Sequence, residues 1–203
     1  MSLETALARI AALQGTVPPV AQKATTAAQG TAFASALQQA GAGAPASLMG
    51  MPVTGGTAAG QAVLSAVRNE VGVAEQPPGS NDAPRIAQYR QATAGSGVGP
   101  WCGYFVSWAA REAGVPLGDA GQGFGRVDDV WTWAERSGKA MPAGSGVPPQ
   151  PGDLIVWDEH IGIVESVGAD GSISTIEGNS SDRVNRRTYG NDGGGAIGYV
   201  RLG

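Results

Sequence analysis

The apolar period of this chain changes once along its length, and that change limits the folds open to it. From Gly60 onward, Val63, Leu64, Val67 and Val71 fall at helical steps, with Gly72 as a stop signal. After the turn residues Pro77-Pro78-Gly79-Ser80-Asn81-Asp82, residues 84–89 read as a second short helix. Residues 101–113 form the strongest helical pattern, with Phe105, Trp108 and Ala109 marking a buried face. Another helix is expected over about 128–136, with Val130, Trp131 and Ala134 on one side. Beyond Pro151-Gly152 the pattern becomes that of strands, over 153–157, 160–167, 172–177, 186–189 and 197–202. Helices first and a meandering antiparallel sheet afterwards predict an α+β domain over residues 59–203.

Residues 1–58 differ in composition. They are rich in Ala, Gly, Thr, Gln and Pro, and Phe33 is their one aromatic side chain. Leu3, Leu7, Ile10 and Leu13 suit a short helix that Pro18-Pro19 ends, and 33–37 suits another turn or two. Helices this short are marginal in water, so a flexible or partly helical tail is expected. It orders against a partner or serves only as a linker. The start of the chain has no basic region followed by an apolar run, so no ordinary secretory signal is expected and the export route stays open. A net charge of −4 argues against nucleic acid as the main partner. No stretch approaches the roughly 18 apolar residues that a membrane span needs.

The chemistry is narrowed by two counts: the chain has one cysteine and one histidine. An intramolecular disulfide framework and a multi-cysteine metal site are excluded, and no metal or other cofactor is implied. Cys102 follows the glycine-rich loop 95–100 and opens the strongest helix. A helix N-terminus offers unpaired N–H groups and partial positive charge, which favour a thiolate and can stabilise an oxyanion. Gly103 is expected to remove bulk beside the sulfur and let substrate approach. A small buried hydrophobe is the other common fate of a free cysteine.

His160 opens a strand, and parity gives it candidate partners. If the four-residue loop 168–171 joins the two strands, Val167 faces Ser172, Gly162 faces Glu177 and His160 faces Asn179. Side chains alternate with period two, so His160, Glu177 and Asn179 share one face while Ser174 takes the other. A carboxylate or amide beside an imidazole fixes its tautomer and stabilises the imidazolium, which is what a Cys–His pair requires. Trp101, Trp157, Asn81 and Asp82 flank these motifs or occupy the loop before them. They are candidate substrate-binding residues, with core packing and turn formation as the competing roles.

The ordered motifs Trp101-Cys102-Gly103-Tyr104-Phe105-Val106-Ser107-Trp108, Pro151-Gly152-Asp153-Leu154-Ile155-Val156-Trp157, His160-Ile161-Gly162-Ile163-Val164 and Glu177-Gly178-Asn179 resemble those of CHAP domains. These are cysteine, histidine-dependent amidohydrolases/peptidases related to the NlpC/P60 hydrolases. The resemblance covers about residues 60–203 and implies a papain-like fold. It also implies hydrolysis of amide bonds in peptidoglycan, in the stem peptide or at the N-acetylmuramoyl-L-alanine linkage, at the cell wall. Cys102, His160 and Glu177 match the catalytic trio, and Asn179 matches a residue often found just after it. The third position carries Glu177 rather than a second histidine, which places the chain nearer CHAP than typical NlpC/P60 members. The tail is similar to leaders of wall hydrolases encoded with flagellar components, which implies a flagellar or phage structural partner. Two rivals remain at this point: a non-catalytic wall-binding or assembly module, and a cysteine peptidase acting on ordinary proteins.

Overall fold

Thr57 starts the first helix of the described residues by accepting the Gly60 N–H on its side-chain oxygen at 2.9 Å, the usual device for satisfying an orphan donor at a helix start. The structure, a computed structural model, describes residues 55–203. The tail helices expected around Leu3–Leu13 and at 33–37 lie outside the described residues. Helix α1 (Ala58–Val67) buries Val63, Leu64 and Val67 and runs into a short 3-10 turn, Arg68–Glu70. Helix α2 (Pro84–Arg90) carries proline at its first position, where the missing N–H costs nothing. Helices α3 (Cys102–Glu112) and α4 (Val127–Arg136) follow, the latter with Asp128 and Asp129 in its first turn.

The six strands are β1 (Ala140–Pro142), β2 (Leu154–Val156), β3 (Ile161–Val167), β4 (Ile173–Glu177), β5 (Asn185–Tyr189) and β6 (Gly198–Val200). They form one antiparallel sheet in the order β1-β6-β2-β3-β4-β5. The arrangement is α+β, as the change of period predicts. The expected meander holds from β2 to β5, but β6 returns to the far side of β2 and brings in β1, which the sequence reading does not contain. Ala140, Met141 and Pro142 have no alternation of their own; they become a strand because Val200, Tyr199 and Gly198 pair with them.

Alternation on β2 divides the core. Leu154 and Val156 point to the helices with Ile161, Ile163 and Ile176, while Ile155 points to a smaller cluster with Val164, Ile173, Ala196 and Tyr199. Between the helices lies an aromatic group. Tyr89 is 5.9 Å from Trp101, 5.2 Å from Phe105 and 4.9 Å from Trp108, centroid to centroid. This packing fixes α3, which also lies against β3. Gly178 sets how near helix and sheet approach, since a Cβ there would stand 2.6 Å from that of Phe105. Gly178 thus serves the close packing of helix against sheet.

Candidate active site

Cys102 is the first residue of α3 and is 5% exposed. Trp101 precedes it as the helix cap, and no side chain caps the helix. The opening N–H groups therefore have no side-chain acceptor, and no earlier turn to bond to. Trp101 itself is fully buried, and its indole Nε1 donates to Glu75 at 2.9 Å. That assigns Trp101 to the support of the helix start rather than to a cleft surface, because a cap residue on this face points into the aromatic core. Gly103 is constrained by packing: a Cβ on it would meet the Gly125 carbonyl oxygen at 2.5 Å. Its expected role, room for substrate beside the sulfur, gives way to room for the 124–126 loop. Ser107 fastens that loop, its hydroxyl donating to the Phe124 carbonyl and accepting the Phe124 N–H, each at 2.9 Å.

The loop and α4 wall a cavity of about 680 Å³ in which Cys102 stands, with Ser96, Tyr104, Asp128, Asp158 and Glu159 around it. His160 directly follows Glu159 and precedes β3, one residue outside the strand the sequence reading assigns it to. Its Nε2 lies 3.0 Å from Oε2 of Glu177, and the Trp157 ring lies along it at 5.6 Å and 27°. Trp157 is half-buried, held by donation from Nε1 to the Gly193 carbonyl at 2.9 Å.

Glu177 is 1% exposed, and its carboxylate is almost fully engaged. Oε1 accepts from the Thr175 hydroxyl at 2.6 Å and from the Tyr189 hydroxyl at 2.9 Å. Arg187 Nε stands 3.8 Å from Oε2. Burial opposes the charge, but the hydrogen bonds from His160, Thr175 and Tyr189 outweigh it and hold the carboxyl below its ordinary pKa. At His160 burial would favour the neutral ring. Interaction with the side chains of Cys102 and Glu177 overcomes burial and pushes the imidazole up to about 9. A thiol, an imidazole and a carboxylate thus act on one another in series, with the imidazole in the middle.

The hairpin register explains the contact. Ile163 pairs with Ile176 and Val164 with Thr175, and continuing that register sets Gly162 opposite Glu177, as parity predicts. At the turn end, however, Val167 faces Ile173 rather than Ser172, and a bulge at Glu165 restores the register between the two halves. The five-residue connection and the bulged residue offset one another, so the site face is the expected one for a partly different reason. Asn179 lines the same 290 Å³ hollow as His160, Glu177, Arg187 and Tyr189. The strand has ended before it and its φ is 57°, so it leaves the ladder position opposite His160. Among the described residues, the imidazole's side-chain hydrogen-bond partner on β4 is Glu177.

Asn81 and Asp82 serve their own loop. The Asn81 N–H donates to Glu75 at 2.8 Å, and Asp82 accepts from Arg90 at 2.6 Å. Neither lines the cavity that holds Cys102. Thr175, Tyr189 and Arg187 are the site residues that the sequence reading misses. Thr175 carries a signal, since it shares a face with Glu177 by parity. The other two depend on the β4–β5 register, which the irregular 178–184 connection hides.

The CHAP domain family model matches residues 92–179. Over that stretch the chain is similar to a CHAP domain. Its matched stretch opens just before Cys102 and closes on Asn179, so it contains Cys102, His160 and Glu177 and leaves out Tyr189 and Arg187. No curated protein and no solved structure matches the chain. A CHAP domain points to an amidase or peptidase acting on peptidoglycan, hence to work at the cell wall. Among the described residues no helix is long and apolar enough to cross a membrane.

Proposed function

We propose that this protein hydrolyses amide bonds of peptidoglycan, in the stem peptide or at the N-acetylmuramoyl-L-alanine linkage, through a thioester on Cys102. The observation that carries the reading is the 3.0 Å contact of His160 Nε2 with the buried Glu177 carboxylate, with the side chain of Cys102 acting on the same ring. An ionised carboxylate only accepts, so Nε2 must carry its proton toward Glu177. The other ring nitrogen, Nδ1, is then left for the Cys102 proton. Transfer gives thiolate and imidazolium, with Glu177 stabilising the latter without taking its proton.

The thiolate attacks the amide carbonyl carbon, and the oxyanion faces the uncapped N–H groups that open α3. The imidazolium then protonates the leaving nitrogen, the C–N bond breaks and the acyl group remains on sulfur. Water loses a proton to His160 and attacks the thioester. The C–S bond breaks, the acid departs and the thiol is restored. Trp157 keeps the imidazole in plane, and Asn179 stands at the edge of the hollow as a polar contact for substrate.

Digestion of purified peptidoglycan by the full chain tests this. New amine and carboxyl termini from one amide linkage are expected, and Cys102→Ala should abolish their release while melting as a folded protein. Turnover by Cys102→Ala above a few per cent of the parent would remove the sulfur from the mechanism.

A further inference from the structure

We infer that Thr175 and Tyr189 are positioning residues of this site, whose two hydroxyls turn the Glu177 carboxylate toward His160 and keep it ionised. The inference rests on the Cys102–His160–Glu177 reading above. A carboxylate has two equivalent oxygens and a free final torsion, so being near an imidazole does not by itself aim it. Here one oxygen is taken. Oε1 receives Thr175 Oγ1 at 2.6 Å and Tyr189 OH at 2.9 Å, which leaves Oε2 for His160 Nε2 at 3.0 Å. Two charge-assisted bonds on one oxygen fix the plane of the group as well as its distance.

Thr175 is fully exposed to the cost of burying a hydroxyl, since it is 0% accessible in the middle of β4, two residues from Ile173. Valine would fill the same volume without that cost. Among the described residues, its one other hydrogen-bond acceptor is the Arg187 carbonyl, at 3.5 Å. Its short bond is to Glu177, and that bond gives the hydroxyl its use. Tyr189 holds the imidazole by two routes. Its hydroxyl meets Glu177, and its ring lies 5.2 Å from Trp157, which in turn stacks on His160. It lies outside the stretch matched by the family model.

The groups facing the carboxylate set the sign of the effect. They are His160, Thr175 and Tyr189, the more distant Arg187 guanidinium, and Asn185, which is uncharged and opposite in register. The imidazole also faces Cys102 and follows Asp158 and Glu159 in the chain. Without the two hydroxyls, burial acts on Glu177 against fewer opposing bonds, so its carboxyl protonates at higher pH. The imidazolium then loses its counter-charge at higher pH, and with it the thiolate.

The test is the rate at which iodoacetamide alkylates Cys102 in the full chain, measured across pH. The acid limb of the profile should move up by about one pH unit in Thr175→Val and in Tyr189→Phe, and further in the double variant. Thr175→Ser should return it to the parent position, which a merely structural role for the side chain would not predict. If both single variants follow the parent profile, the inference is overturned while the Cys–His reading stands. Should Thr175→Val fail to fold, Tyr189→Phe decides alone, since that ring is partly exposed and loses one oxygen. If instead the parent thiol titrates like a free cysteine, near 8.5, the proposed function itself fails and the positioning role goes with it.

Discussion

Glu177 sits where a carboxylate would ordinarily be neutral, 1% exposed at the end of β4, and hydrogen bonds from three side chains keep it charged. Its charge is what the neighbouring imidazole feels. With His160 raised to about 9, the imidazolium persists through neutrality and is lost only as pH rises past that value. Glu177→Gln keeps the shape and removes the charge. The alkaline limb of turnover should then fall toward the ordinary histidine range, and the rate near neutrality should drop about tenfold to a thousandfold. Asn179→Ala should cost less, because Asn179 borders the hollow without reaching the ring. The pH–rate profiles of both variants on one wall substrate compare the two roles. A near-normal Glu177→Gln beside a crippled Asn179→Ala would transfer the orienting role to the amide. The contact of His160 with Glu177 is legible in the sequence because the chain holds one imidazole and because parity survives a shift of two. Trp101 was not legible: adjacency to Cys102 says nothing of which way a cap residue points, and here it points into the core.

Gly162 links the residues to the elements. It sits on β3 opposite Glu177, and an added Cβ would lie 2.7 Å from Glu177 Cγ. The bare backbone at that point lets the glutamate lean across the strand to His160, a diagonal contact that a side chain at 162 would obstruct. Gly162→Ala should therefore displace the carboxylate more than it disturbs the sheet. We expect turnover to fall on the order of tenfold or more for a misplaced orienting group, against a stability loss of about 1–3 kcal/mol for local overpacking. Thermal melting and turnover on the same sample measure both. A variant with full activity would mean that Glu177 does not need the space. Elements with a strong period, α3 and β2 among them, could be read directly from sequence. The bulge at Glu165 could not, because one inserted residue leaves the composition of a strand unchanged. Nor could β1, whose strand character is conferred by β6.

Contacts of Thr57 and Arg201 tie the start of the described residues to their end, and we propose that the domain begins before residue 59. Residue 59 begins the domain in the periodicity reading, yet Thr57 does two things on its other side. Its hydroxyl caps α1 and also donates to the Leu202 carbonyl at 2.5 Å. Just after β6, Arg201 makes a paired contact to the buried Asp153, at 3.0 and 2.8 Å, fastening the chain end to the start of β2. A cap threonine has no apolar period, so its place in the domain is invisible to a reading built on apolar spacing. The described residues build both core clusters from residue 59 onward, and we propose that 55–203 folds and hydrolyses wall on its own. A chain starting at Gly55 should melt cooperatively at the temperature of its counterpart domain in the full chain. One starting at Ala59 lacks the cap and the tie to Leu202 and should lose about 1 kcal/mol, seen as a melting point lower by about 2–4 °C. Both should digest peptidoglycan, since the thiol, the imidazole and the carboxylate lie far along the sequence from the cut. If the chain from Gly55 unfolds without cooperativity, the first 54 residues belong to the folding unit. If the two truncations melt alike, Thr57 contributes nothing and the boundary returns to residue 59.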